Sequence, residues 1–175
     1  FDLAVLERHF TRPGLIVDLG AGTGRLLPPF ARRGFRALAV DLSLPMLRVV
    51  GKKATAERLP IDRLQANMTE LDCLRDGVAD YCISMFATLG MIKGVENRRR
   101  ALAHAQRVLR PGGLLVVHVH NRWQNLFVPG GWRWVLSNIL AALFGRAEPG
   151  DCVYDYRGIP KMCLHLFTRG ELTRE

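Results

Sequence analysis

Hydrophobic and polar positions follow two rhythms along the first 120 residues of the chain. Short apolar runs at Leu15–Leu19, Ala37–Val40, Asp80–Met85 and Leu114–His120, with a weaker one at Ile61–Gln65, predict five strands, the first of them buried. Between them apolar residues recur at helical spacing. Arg25–Arg32 reads as a helix after the first strand. Ser43 caps a second helix, which holds Pro45 in its first turn and carries Met46, Leu47, Val49 and Val50. Glu96–Arg110 places Ala101, Ala105, Val108 and Leu109 on one face and arginines on the other, and Pro111-Gly112-Gly113 stops it. Strands alternating with helices predict an α/β fold, a doubly wound and mostly parallel sheet flanked by helices.

After His120 the alternation breaks. The expectation is a core over 1–120, an insertion or lid over 121–160, and the start of the domain's C-terminal part over 161–175. The insertion reads as a loop around Pro129-Gly130-Gly131, an amphipathic helix from Trp132 to Phe144, and a second loop through Glu148-Pro149-Gly150-Asp151. A short strand is expected over Met162–Phe167. Thr168 and Glu171 then form a capping box.

Composition adds three limits. At 175 residues the chain makes one domain. No apolar run approaches the ~20 residues of a membrane span. The four cysteines are scattered without a C-x-x-C pair, which suits reduced thiols of a cytoplasmic protein and argues against a zinc site. The net charge of +9 leaves an anionic partner such as RNA open.

The chemistry concentrates at Val17-Asp18-Leu19-Gly20-Ala21-Gly22-Thr23-Gly24-Arg25, followed by Asp41 at the end of the second strand. Alternate glycines after a buried strand mark a turn where backbone closely approaches a ligand. The third glycine falls at Gly24, and Arg25 occupies the position where a dinucleotide fingerprint needs glycine. A nicotinamide oxidoreductase is therefore disfavoured, and no P-loop is present.

Asp-x-Gly-x-Gly-x-Gly resembles motif I of the class I S-adenosylmethionine (SAM) methyltransferases. Asp41-Leu42-Ser43 with Met46-Leu47, the loop Gln65-Ala66-Asn67-Met68, and Arg107-Val108-Leu109-Arg110-Pro111-Gly112-Gly113 are similar to further motifs of that family. The resemblance covers about 13–120. It implies a Rossmann-like fold, SAM as methyl donor, S-adenosylhomocysteine as product, and no metal. It also implies that Asp18, Gly20, Ala21, Gly22, Gly24, Asp41, Leu42, Asn67, Met68 and Phe86 line the cofactor site. Asp41 would accept from the ribose hydroxyls, Asp18 would order the glycine loop, and Asn67 stands where the family more often has aspartate. The family's sheet ends in two more strands, so the sheet is expected to stop short of them.

On the acceptor side, His120 is the candidate base, with Thr88, Asn121, Arg122 and Trp123 nearby. The expected acceptor is a small molecule. A narrower resemblance, carried by Asn97–Leu102, Ile83–Met85 and Leu164–Leu172, is to tRNA wobble-uridine carboxymethyl methyltransferases, which makes tRNA the alternative acceptor. A non-catalytic SAM-fold module is the remaining reading.

Overall fold

The computed structural model describes residues 2–144, 148–156 and 159–174. In chain order its regular elements are α1 (Asp2–His9), β1 (Leu15–Leu19), α2 (Leu27–Ala31), β2 (Arg36–Asp41), α3 (Leu44–Glu57), β3 (Ile61–Gln65), β4 (Ala79–Ser84), α4 (Val95–Val108), β5 (Leu109–Val117), α5 (Gly131–Leu143), β6 (Asp151–Tyr156), β7 (Ile159–His165) and α6 (Arg169–Leu172). Short 3-10 turns run over Thr88–Met91 and Arg122–Phe127.

Five strands form one sheet in the order β3-β2-β1-β4-β5, with every neighbouring pair parallel. This is the Rossmann-like α/β sheet expected from the alternation. β1 lies at its centre, and Ile16, Val17 and Leu19 are buried. Successive side chains of a strand point to opposite faces. Ile16 accordingly packs with Leu6, Phe10, Phe30, Leu47 and Val50 from the first three helices and their flanks. Val17 packs with Ala105 and Val108 of α4. The centre of the sheet is thus covered on both sides, while the edge strands β3 and β5 are largely exposed. Strand order reverses at β1, so the turn after β1 and the end of β2 stand where ligands of such sheets bind.

Several boundaries differ from the sequence reading. Helix α2 is shorter than Arg25–Arg32, because Pro28 and Pro29 in its first turn have no N–H to donate to the carbonyls four residues earlier, so the helix does not extend back to Arg25. Helix α4 ends at Val108 rather than Arg110. The chain then enters β5 directly, and Pro111-Gly112-Gly113 forms an irregularity between the Ala79–Leu109 and Tyr81–Leu114 pairs. β5 ends at Val117, opposite the last residue of β4, so His118 and His120 lie beyond the strand. The segment Asp151–Tyr156, expected as loop and its continuation, is a strand antiparallel to β7. Helix α1 had no counterpart in the sequence reading; Leu6 and the following Phe10 are its core contribution.

The chain divides into two compact units, residues 1–85 with 100–117, and residues 86–99 with 118–175. The first holds the five-stranded sheet. The second holds α5, the β6–β7 hairpin and α6. Of the segment 121–160, residues 145–147 and 157–158 lie outside the described residues. Among the described residues no helix is long and apolar enough to cross a membrane.

Candidate functional site

In the first unit, parallel pairing of Leu19 with Val40 brings the glycine turn beside the end of β2. The amides of Gly20 and Ala21 both donate to the Val40 carbonyl, at 2.8 and 3.0 Å. Ala21 packs against the core. Gly22 and Gly24 have φ of 53° and 64°, left-handed values that favour residues without Cβ. The two glycines serve different needs. A Cβ on Gly24 would stand 2.9 Å from Val50 Cγ2, so this glycine lets the turn pack on α3. A Cβ on Gly22 would meet nothing within 4 Å. That side of the turn opens into space that a ligand can fill.

Asp41 locks this geometry. Its Oδ2 accepts from the Gly22 amide at 2.7 Å, and its Oδ1 accepts from the Ser43 amide at 2.8 Å. A carboxylate oxygen has capacity for a second donor. Each oxygen of Asp41 is thus held in place and can still accept a hydroxyl. Ser43 also caps α3 through the Met46 amide. Leu42, next in the chain, is exposed, and its carbonyl accepts from Gln65 Nε2.

Asp18 is buried in β1. Burial pushes its carboxyl up to about 7, and the neighbouring charge of Asp41 adds to the rise. Cys82, on the strand paired with β1, is pushed up to about 12 by burial and then by Asp18, so its thiol is inert at neutral pH.

After β3, Asn67 forms a local turn: its Oδ1 accepts from the Thr69 amide at 3.1 Å and its carbonyl from the Glu70 amide at 2.9 Å. The side-chain NH2 is left as the group most able to reach a ligand. Met68 is half-buried and packs against the core face that holds Val40 and Leu71.

The acceptor-side residues belong to the second unit. Phe86, expected at the cofactor, is also there; it is exposed, and both it and Ala87 have positive φ, 55° and 61°. Two consecutive left-handed residues without glycine store strain of roughly 1–2 kcal/mol each. The Ala87 amide donates to the His118 carbonyl, which holds this bend. Thr88 follows in a 3-10 turn and is half-buried. The rings of His118 and His120 stand 5.7 Å apart, and that of Phe86 is 6.2 Å from His118.

Asn121 caps the 3-10 turn, with its Oδ1 accepting from the Trp123 amide, and Arg122 stacks on Trp123 at 5.3 Å. His120 and Asn121 line an open cleft of about 530 Å³. Gln124, Asn125, Trp134 and Leu166 join them. Gln124 and Asn125 escaped the sequence reading because no motif marks them. Cys152 also lines the cleft; burial, then the charges of Asp151 and Cys163, push its thiol up.

The late segment that resembles tRNA-modifying enzymes has structural work here. His165 is buried, with Nδ1 2.7 Å from Asp151 Oδ1 and Nε2 2.8 Å from Glu171 Oε1. Glu171 also closes the capping box with Thr168. Buried Arg98 contacts Glu148 at 3.0 Å. Burial pulls the Glu148 carboxyl up, but the Val95 amide, Arg98 and His165 outweigh it and hold the group below its ordinary range. Glu148, Asp151 and His165 are close enough to surround a cation, yet Arg98 and Glu171 already supply their partners.

The sheet order, the glycine turn after β1 and the acid after β2 together define a Rossmann-like class I methyltransferase domain, the class whose cofactor is SAM. The chain belongs to the methyltransferase domain family, whose model matches residues 17–117. A ubiquinone/menaquinone biosynthesis C-methyltransferase of Syntrophotalea carbinolica is 31% identical over 170 residues, 96% of this chain and 68% of the relative. A SAM-dependent methyltransferase from Methanosarcina mazei superposes with a TM-score of 0.79 at 20% identity, over 97% of this chain and 80% of that one. A 1,6-didemethyltoxoflavin-N1-methyltransferase of Burkholderia thailandensis, solved with 1,6-didemethyltoxoflavin and S-adenosylhomocysteine bound, superposes at 0.68 and 22% identity, over 98% of this chain and 62% of that one. At such identities the two structures share the fold. The chain spans less than half the length of several curated relatives, 43% and 47% in two cases.

Proposed function

We propose that the protein is a SAM-dependent methyltransferase acting on a small molecule with an apolar body and a polar reacting end. The observation that carries this reading is the open side of Gly22, pinned beside an Asp41 carboxylate with acceptor capacity to spare. In this reading Asp41 takes the ribose hydroxyls, and Gly20, Ala21, Gly22 and Gly24 shape the loop around the amino-acid end. Asp18 offers its carboxylate toward the cationic end, Leu42 and Met68 flank the base, and the Asn67 amide donates to it. SAM supplies an activated methyl group on a sulfonium, which becomes a neutral thioether as the methyl passes to the acceptor. The chain's own part is to align and to exclude water.

The cleft of the second unit supports the acceptor class. Val128, Trp134, Leu164 and Leu166 give it an apolar wall, while His120, Asn121, Gln124 and Asn125 offer polar groups. Such a mixture suits a flat or chain-bearing small molecule held at one polar end. His120, exposed at the cleft, is assigned to take the proton that a hydroxyl or ring-carbon acceptor must lose. The quinone-pathway name of the Syntrophotalea relative supports a quinone-like ring as the first acceptor to try.

The test is formation of S-adenosylhomocysteine from SAM with a panel of hydroxyaromatics, reduced quinones and bulk tRNA. Product is expected with a small molecule, and His120→Ala is expected to slow it about a hundredfold. Product with tRNA alone would overturn the acceptor class. Binding of the cofactor with no product from any acceptor would support a non-catalytic module.

A further inference from the structure

Helix α5 is apolar on its outer face as well as its inner one, where Trp134 packs against Ala87, Leu164 and Leu166. Val135 and the polar Asn138 face inward and are buried. Asn138 uses both halves of its amide there, donating to the Asp151 carbonyl at 2.9 Å and accepting from the Gly150 amide at 2.7 Å. Rolling the helix to bury its apolar stripe would strip these bonds, leaving buried polar groups unmade. The stripe is therefore held outward. Trp132 is 60% exposed, Leu143 76% and Phe144 74%, with Leu136, Ile139 and Leu140 exposed between them. The preceding 3-10 turn adds Leu126, and Phe127 after it in the same turn is 87% exposed. Soluble proteins rarely leave apolar side chains exposed in such density unless a partner covers them.

The charge of this segment points to the partner. Residues 122–144 carry two charged side chains, the exposed Arg133 and the half-buried Arg122, and no acidic one. Within the exposed face, Arg133 is the charged side chain of α5 and stands beside Trp132. Tryptophan and arginine bordering an apolar helix face match the boundary between lipid headgroups and acyl chains. The 13-residue helix is too short to span a bilayer but suited to lie in its surface.

We infer that the outward face of residues 122–144 docks on an anionic lipid surface. The inference goes beyond methyl transfer and does not depend on it. Docking places apolar side chains at the acyl boundary and leaves Arg122 and Arg133 among the phosphates.

The experiment is flotation of the full chain with vesicles of phosphatidylglycerol and phosphatidylcholine, against phosphatidylcholine alone. Binding is expected on the anionic vesicles, at least tenfold weaker on the neutral ones, and reduced by about 0.5 M salt. The double variant Phe127→Ser, Leu143→Ser alters exposed side chains only, and is expected to weaken binding about tenfold or more with an unchanged circular dichroism spectrum. Arg133→Glu is expected to weaken binding to anionic vesicles selectively. Failure of the folded chain to float, or equal flotation of the double variant, overturns the inference. So does a dimer, seen by light scattering without lipid, that the double variant breaks, since a second copy would then cover the face.

Discussion

Burial and the charge of Asp41 raise the Asp18 carboxyl to about 7, from an ordinary value near 3.8. Between those values the folded chain keeps a proton that the unfolded chain has lost. Stability therefore falls as pH rises through that window, and this contribution levels off above about 7. Asp18→Asn is expected to flatten the slope, measured by urea unfolding at a series of pH values; an equal slope in the variant would refute the assignment. The cationic end of SAM favours the ionised form of the same group. Cofactor binding just below neutral pH is thus expected to release a proton from the wild-type chain and none from Asp18→Asn, read by calorimetry in buffers of different ionisation heat.

At the scale of elements, the glycine turn separates a packing role from a binding role. Gly24→Ala forces a Cβ against Val50 at a left-handed φ, so it is expected to lower stability by about 2–4 kcal/mol. Gly22→Ala meets only the backbone strain, about 1–2 kcal/mol, and its added methyl enters the space assigned to the cofactor. Thermal melts and S-adenosylhomocysteine titrations of the pair are expected to show the larger melting shift in Gly24→Ala and the larger affinity loss in Gly22→Ala. The reverse order would contradict the division of roles.

The central strands β1, β2 and β4 are legible in the sequence as short apolar runs bounded by turn residues, and β3 by Ile61 and Leu64 alone. β1 and β3 fall on the expected residues. β5 was misplaced because strand pairing with Ala79 captures Leu109 before Pro111-Gly112-Gly113, a choice local composition does not express. β6 was missed because Asp-Cys-Val-Tyr-Asp-Tyr carries little apolar periodicity and is defined by its pairing with β7. The site divides in the same way. Asp41 and the glycines announce themselves by spacing, whereas Gln124 and Asn125 reach the cleft through a 3-10 turn. Asn138, a lone amide in an apolar helix, is the signal in the sequence that α5 has a polar anchor on its inner face.

At the scale of the whole molecule, each compact unit is organised by a different kind of interaction. The first rests on two apolar layers about a parallel sheet, with its polar groups gathered at the strand ends. The second has a smaller apolar cluster around Ala87, Leu164 and Leu166, supplemented by the contacts of buried Arg98 and His165 with half-buried Glu148, Asp151 and Glu171. A buried charge is costly unless partnered, and Glu148 partners the buried Arg98 at 3.0 Å.

In the function proposed above, the first unit holds SAM through the glycine turn and Asp41. Calorimetric titration of the full chain with S-adenosylhomocysteine tests it most directly, because the product binds without any acceptor. Micromolar binding is expected, falling tenfold or more in Asp41→Ala through the loss of one or two bonds to a charged group. Absence of binding by the folded chain, or equal affinity in a folded Asp41→Ala variant, would contradict it.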